Sequence, residues 1–395
     1  MQPSSLPINH QHPLPLAEEG FRARYGSPEG TFMAPGRVNL IGEHTDYNDG
    51  FVMPAAIDFA TYVVAGPRSD DKLSVSSIDF QENCEFDLSG DARGPTGHWS
   101  DYVRGLATVL RSENIPIRGA NLVVKGEVPI GAGLSSSASI EVATAFALLG
   151  INHLSLDRRK IASLCQRAEH EYAGTKCGIM DQFIACFGRA DHALLLDCRS
   201  LEFEVLKLLS SVRIVICNTM VKHELAAGEY NRRRTDCEAG VRILHEFLPD
   251  VRALRDVTLS QLSEHSTDLP PVVYRRCRHV ISENARVLSA GDALKQNDLH
   301  QFGTLMGESH ASLRDDYQVS CAELDRMVEL AVGCAGVYGA RMTGGGFGGC
   351  TVNLVDAEAV DAFKLAVAHG YQQSFGIQPE IYICTAADGA KEITR

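Results

Sequence analysis

A strand-like run, Asn121–Lys125, leads into Gly126-Glu127-Val128-Pro129-Ile130-Gly131-Ala132-Gly133-Leu134-Ser135-Ser136-Ser137-Ala138-Ser139, and then into a small-residue apolar stretch that reaches Leu149. Strand, glycine turn and serine-led helix in succession commit this part of the chain to layered α/β structure. The same succession can hold an anion, because N–H groups at a helix start point outward and glycines let a phosphate approach the backbone closely. A serine-capped helix without a ligand is the plainer account. The segment is not a Walker A loop, since no Gly-Lys-Ser/Thr follows. Nor is it a good dinucleotide fingerprint: Ser136 stands at the third glycine, and no acidic strand end follows about 20 residues later.

Alternation of strand and helix patterns runs from about Gly20 to Ser210. Asp157 caps a helix in which Ile161, Leu164, Ala168 and Tyr172 make one stripe. His192–Asp197, Phe203–Leu208 and Val212–Asn218 read as strands, the first two as a hairpin. Beyond them comes a helical stretch in which Arg232, Arg233 and Arg234 read as a solvated face, with more helix to about Leu313. The C-terminal part reads as helix Leu324–Cys334, strand, glycine loop, strand Cys350–Val355, helix Val360–Gln373 and strand Glu380–Cys384, a split β-α-β pattern. We therefore expect a flexible tail over 1–18, one domain over 19–210 and a second over 211–395. A chain of 395 residues suits two domains of ordinary size.

Charge narrows the partners. With 37 basic against 50 acidic side chains the net charge is −13, which repels polyanions, so no nucleic-acid partner is expected. An anionic ligand needs a specific pocket and a cation. None of the 12 cysteines forms a C-x-x-C pair, and Cys165, Cys186, Cys217 and Cys384 sit in apolar runs, which suits buried free thiols in a reducing compartment. The polar, proline-bearing start is unlike a signal peptide, and no apolar run reaches about 18 residues. A cytoplasmic location with no membrane partner is the expectation.

Two further segments concentrate chemistry. In Pro35-Gly36-Arg37-Val38-Asn39-Leu40-Ile41-Gly42-Glu43-His44-Thr45-Asp46-Tyr47-Asn48-Asp49-Gly50, three polar groups fall within four positions after an apolar pair. A solvated turn, a site for a polyhydroxylated ligand and a metal site all fit, although the spacing lacks the i, i+4 pair of a helical zinc motif. In Arg341-Met342-Thr343-Gly344-Gly345-Gly346-Phe347-Gly348-Gly349-Cys350, five glycines in six positions cost backbone entropy that a simple turn would not require. Close approach of backbone to a ligand or to another loop accounts for it better.

In this order the segments resemble those of the GHMP small-molecule kinases, most closely the galactose-phosphorylating members, and the likeness runs from about residue 20 to the C-terminal residues. Residues 35–50 look like the sugar signature, Pro129 to Ser139 like the nucleotide motif and Thr343–Gly349 like the third motif. Cys177-Gly178-Ile179-Met180-Asp181-Gln182-Phe183 is similar to the stretch that carries the family's catalytic aspartate. The resemblance implies a two-domain α/β (α+β) fold, with a ribosomal-S5-domain-2-like N-terminal domain and a ferredoxin-like α+β C-terminal domain. It implies transfer of the γ-phosphate of ATP to the anomeric hydroxyl of α-D-galactose. Asp181 and Arg37 would be catalytic, and Glu43, His44, Thr45, Asp46, Gly178 and Tyr230 would bind the sugar. Gly131, Ala132, Gly133, Leu134, Ser135, Ser136 and Ser137 would wrap the ATP phosphates, and Ser137 with Glu169 would hold Mg2+. The expected partners are galactose and ATP, with a monomer expected and an oligomer left open. Gly228 departs from the serine frequent two positions before the tyrosine, which touches only a minor contact. Two rival readings are a kinase of N-acetylgalactosamine or a related sugar, and a non-catalytic galactose and ATP sensor. Against the second, Ser137-Ala138 is present.

Overall fold

The computed structural model describes residues 13–90, 94–222 and 226–394. The first element is helix α1 (Pro13–Tyr25), in which Ala17 and Phe21, one turn apart, bury against Val64 and Val123. This corrects the expected tail: residues 13–18 are helical because that stripe has a sheet face to cover. Residues 1–12 lie outside the described residues.

Next come strands β1 (Gly30–Asn39), β2 (Phe51–Val52), β3 (Pro54–Pro67), β4 (Lys72–Ser77) and β5 (Glu82–Asp87), helix α2 (Asp101–Ser112) and strand β6 (Ala120–Gly126). Helices α3 (Ser136–Gly150), α4 (Arg158–Ala168) and α5 (Met180–Phe187) follow, then β7 (His192–Asp197) and β8 (Phe203–Lys207), which form the expected antiparallel hairpin. The Asp157 carboxylate accepts from the Arg159 backbone N–H and so caps α4 as expected. Strand β9 (Val212–Lys222) leads to helices α6 (Ala226–Phe247), α7 (Leu259–Glu264), α8 (Pro271–Lys295), α9 (Leu299–Ser312) and α10 (Ala322–Val332). The remaining elements are β10 (Val337–Thr343), β11 (Gly348–Asp356), α11 (Val360–Phe375), β12 (Glu380–Cys384) and β13 (Lys391–Glu392).

One sheet has the order β13-β1-β3-β6-β4-β5, with only the β4–β6 pair parallel. Its middle is buried on both faces: Val63 and Ala65 face the core beneath α2 to α5, and Val64 faces α1. In the C-terminal part the order is β10-β11-β9-β12, all antiparallel. Counted from β9 as first strand, that is 2-3-1-4 with helices between first and second and between third and fourth, the ferredoxin-like arrangement.

Two features tie the halves together. Val38, Leu40, Ile41, Met53 and Ile57 share one core with Ile214, Ile216, Val287, Phe302, Met306 and Leu354. The end of the described chain also departs from the expected domain boundary. After β12, Ala386 bridges Ile57, the N–H groups of Gly389, Ala390 and Ile393 donate to the carbonyls of Gly188, Ala185 and Thr31, and β13 pairs with β1. All 12 cysteines are free, and Cys165, Cys186, Cys217 and Cys384 are buried as expected. Among the described residues no helix is long and apolar enough to cross a membrane.

Candidate active site

The loop leaving β1 doubles back to β2 and is held by buried polar contacts. The Gly42 N–H donates to Glu283 Oε1 (2.9 Å), and Asn48 Nδ2 donates to the His44 carbonyl (2.8 Å). His44 sits at φ 63°, a left-handed conformation uncommon outside glycine and worth explaining by function. Its Nδ1 pairs with the Tyr47 hydroxyl (2.7 Å), which pairs in turn with the Tyr317 hydroxyl (2.8 Å). Burial, then the charges of His279 and Arg233, push His44 well below the usual imidazole range, so it is neutral.

Glu43 is spoken for by three protein donors, Asn39 Nδ2 (2.8 Å), Thr343 Oγ1 (3.0 Å) and the Gly344 N–H (2.7 Å), and pairs its charge with the Arg341 guanidinium (3.1 Å). It thereby clasps the glycine loop between β10 and β11 to the β1 loop. Thr45 corrects an expectation: its hydroxyl turns to the carbonyls of Gly42 (2.9 Å) and Phe51 (2.6 Å), and it holds the loop instead of facing the cavity. Among the described residues no three His, Cys, Asp or Glu side chains gather as a metal site, so the Glu43-His44-x-Asp46 run is not a metal cluster. Asp46 is pushed up to about 7 by burial and by the nearby Asp181 charge. Gly178 explains itself sterically, since a Cβ there would lie 1.9 Å from Asp46 Oδ2. Arg37, Glu43, His44, Asp46, Asp181 and Tyr230 line a cavity of about 210 Å³.

The serine loop borders a second cavity, of about 590 Å³, within the size range of small-molecule sites. Gly131, Gly133, Ser135, Ser136 and Ser137 line it, whereas the side chains of Ala132 and Leu134 point into the shared core. Residues 131–134 therefore alternate between facing the cavity and anchoring the loop, and 135–137 all face it, the glycines offering backbone and the serines hydroxyls. Ser135 adopts φ 58°, ψ 48° just before α3, and its hydroxyl donates to Asp181 Oδ2. That hydroxyl is engaged with the Asp181 carboxylate, whereas Ser137 pairs with Glu169, so the serines divide between two acids.

At the wall common to both cavities, Arg37 Nε and Nη2 donate to the two oxygens of Asp181 (2.8 Å each), and Nη1 donates to the Gly133 carbonyl (2.6 Å). Arg37, Glu169, Thr175 and Asp181 line both cavities. Glu169 opens a π-helical turn, Glu169–Ala173, that continues α4, and irregular turns of this kind concentrate at functional sites. Burial and the Asp181 charge push it up to about 7, against hydrogen bonds from Ser137, Cys177 and Gln182. Two hard oxygen donors, Ser137 Oγ and the Glu169 carboxylate, thus meet at a buried position that a divalent cation would suit electrostatically.

Several residues escaped the sequence reading. Phe80, Trp99 and Tyr102 line the larger cavity, with the Phe80 and Trp99 rings stacked 5.5 Å apart at 14°. Only aromatic character could have drawn attention to them. Arg233 was read as solvated, yet it is buried: Nε and Nη2 donate to the carbonyls of Tyr317 and Gln318 (2.9 Å each) and Nη1 to Glu229 (2.9 Å). A Glu229–Arg233 spacing of four was the available signal. Gly228 is exposed, and a Cβ there would touch nothing within 4 Å, in keeping with the small effect expected of that departure.

Three family models match the chain: the galactokinase galactose-binding signature over residues 19–67, the GHMP kinases N terminal domain over 101–189 and the GHMP kinases C terminal over 292–373. The galactokinase of Chloroflexus aggregans (strain MD-66 / DSM 9485) is 50% identical over 370 residues, which cover 93% of this chain and 95% of that protein. The galactokinase of Roseiflexus sp. (strain RS-1) is 47% identical over 376 residues, 95% of this chain and 96% of that one. The solved structure of Lactococcus lactis galactokinase complexed with galactose superposes with a TM-score of 0.91 at 35% identity, covering 96% of this chain and all of that one (100%). Mevalonate kinase of Methanococcus jannaschii shares the fold at a TM-score of 0.61 and 20% identity, covering 92% of this chain and 100% of that chain.

Proposed function

The chain belongs to the galactokinases of the GHMP kinase family, and from that premise we propose how its residues divide the work of phosphorylating galactose. It is an ATP-dependent sugar kinase, which moves the γ-phosphate of ATP to the anomeric hydroxyl of α-D-galactose and yields galactose 1-phosphate and ADP.

The observation that carries the assignment is the common wall: Arg37 and Asp181 face both cavities and grip each other through two hydrogen bonds. Galactose occupies the smaller cavity and ATP the larger, so the attacking oxygen and the γ-phosphorus meet at that wall. Phosphoryl transfer needs alignment and charge neutralisation more than covalent help. Asp181 accepts the anomeric hydroxyl as a hydrogen-bond donor and takes its proton as the C1 oxygen bonds to phosphorus and the bond to ADP breaks. Arg37 holds that carboxylate in one orientation and turns its remaining charge to the transferring phosphate. Backbone N–H groups of the serine loop and the start of α3 bind the other phosphates. Phe80 and Trp99 offer flat apolar faces to the base.

In the sugar cavity neutral His44, Asp46 and Tyr230 pair with the hydroxyls, and unpaired partners would penalise an epimer. Ser137 and Glu169 would hold Mg2+, whose charge would offset that of the ATP phosphates. The 12 free thiols support a cytoplasmic setting.

Replacing Asp181 with Asn keeps the shape and removes the proton acceptor. Turnover should fall by about 10²–10⁴ with the thermal midpoint unchanged. A variant with near-normal turnover would show that Asp181 is not the acceptor.

A further inference from the structure

Directly after Asp181 on α5 stands Gln182, fully buried at 0% exposure. Its Nε2 donates to Glu169 Oε2 (2.7 Å) and to Glu141 Oε2 (3.1 Å), one N–H to each carboxyl. Glu141 is also fully buried and lies on α3, the helix whose start forms the serine loop. One side-chain amide therefore joins three elements: α3 through Glu141, the π turn after α4 through Glu169, and α5 itself.

The amide faces the two carboxyls with its nitrogen. Burial raises both Glu141 and Glu169, and even a protonated carboxyl keeps an oxygen free to accept, so this orientation serves either charge state. Among the described residues Gln182 Oε1 and Glu141 Oε1 have no partner, so nothing on the opposite side competes for that orientation. A buried amide with an unpaired oxygen is costly, and simple packing would be served better by an apolar side chain. What the arrangement secures is the direction of the Glu169 carboxylate, which also takes a hydrogen bond from Ser137 and lines both cavities.

We propose that Gln182 is a positioning residue for the divalent-cation ligand Glu169, and that Glu141 is the anchor that orients Gln182. The inference rests on Ser137 and Glu169 holding the cation, as proposed above. Groups that orient metal ligands without touching the metal typically contribute about 10–100-fold to metal affinity. Gln182 also shares a helical turn with Asp181, so the same element that presents the proton acceptor sets the metal ligand.

The test is the coupling between Mg2+ and ADP, measured by titration calorimetry as the ratio of ADP affinities with Mg2+ and with EDTA. Three variants are compared with the unaltered protein: Glu169→Gln, Gln182→Met and Glu141→Gln. The expected result is that Gln182→Met lowers the ratio by about 10–100-fold, with ADP affinity in EDTA and galactose affinity unchanged. Glu141→Gln, which keeps the volume, should lower it in the same direction by a smaller factor. If Glu169→Gln leaves the ratio intact, the metal-site reading itself fails. If Glu169→Gln lowers it and Gln182→Met does not, the positioning role is overturned. It is overturned equally if Gln182→Met weakens galactose and metal-free ADP as much as it weakens Mg-ADP, because that is a general packing defect. Should Gln182→Met fail to fold, Glu141→Gln decides: a lowered ratio supports the relay and an unchanged one refutes it.

Discussion

Asp46 shows how a single side chain can work against the free protein and for the complex. Burial and the neighbouring Asp181 charge raise it from 3.8 to about 7. Between about pH 4 and 7 the folded protein then binds a proton that the unfolded chain has already released, so stability falls as pH rises through that window. Galactose hydroxyls donating to the carboxylate reverse the preference, and sugar affinity should rise as pH passes about 7. Asp46→Asn should flatten both dependences. Thermal melts of the ligand-free protein at pH 5 and pH 8, with galactose calorimetry at the same values, check this; parallel curves for the two proteins would exclude Asp46 as the group responsible. At this scale the sequence was most informative where function demands a rare local pattern. Glu43-His44-x-Asp46 could be picked out because its polarity wastes burial and the serine run because it opens a helix, whereas Asp181 came only from the likeness to the family's motif. Gln182, Trp99 and Tyr317 could not, since each looks like an ordinary core or surface residue until a distant segment is folded against it.

Among the elements, the two π-helical turns matter most. Glu169–Ala173 delivers the proposed metal ligand, and Leu313–Tyr317 delivers the ring that packs 4.7 Å from His44, centroid to centroid. Periodicity placed α4, and helix was expected to about Leu313, but a single wide turn at a helix end leaves no trace, because apolar spacing hardly changes over one residue. The second turn is clamped by Arg233 from α6, through the carbonyls of Tyr317 and Gln318. Arg233→Leu strands the buried Tyr317 carbonyl and should cost about 1–3 kcal/mol. Because Tyr317 braces His44, galactose affinity should drop while metal-free ADP affinity holds. Chemical denaturation and paired calorimetry would measure both, and equal losses for both ligands would refute a role confined to the sugar side.

For the molecule as a whole, the order of elements was largely readable, because alternating strands and amphipathic helices leave periodic traces. What could not be read was the return of residues 386–394 to the first sheet, since β13 is two residues long and carries no pattern of its own. Besides the β13–β1 pairing, three backbone hydrogen bonds and buried Ala390 fasten that stretch to β1 and to the end of α5, the helix that bears Asp181. Ending the chain after Asp388 should lower stability by about 3 kcal/mol, at roughly 1 kcal/mol per bond, and reduce turnover. Denaturant titration of the shortened protein reads the first effect, and an unchanged midpoint would mean the segment is only draped on the surface.

The core that runs beneath both halves has a further bearing on how reactants come and go. Parting two lobes joined by a broad apolar contact would wet all of that area at about 25 cal/mol per Å², so jaw-like opening is strongly disfavoured. Galactose and ATP must then come and go through the mouths of the two cavities, with the walls of the chamber standing still.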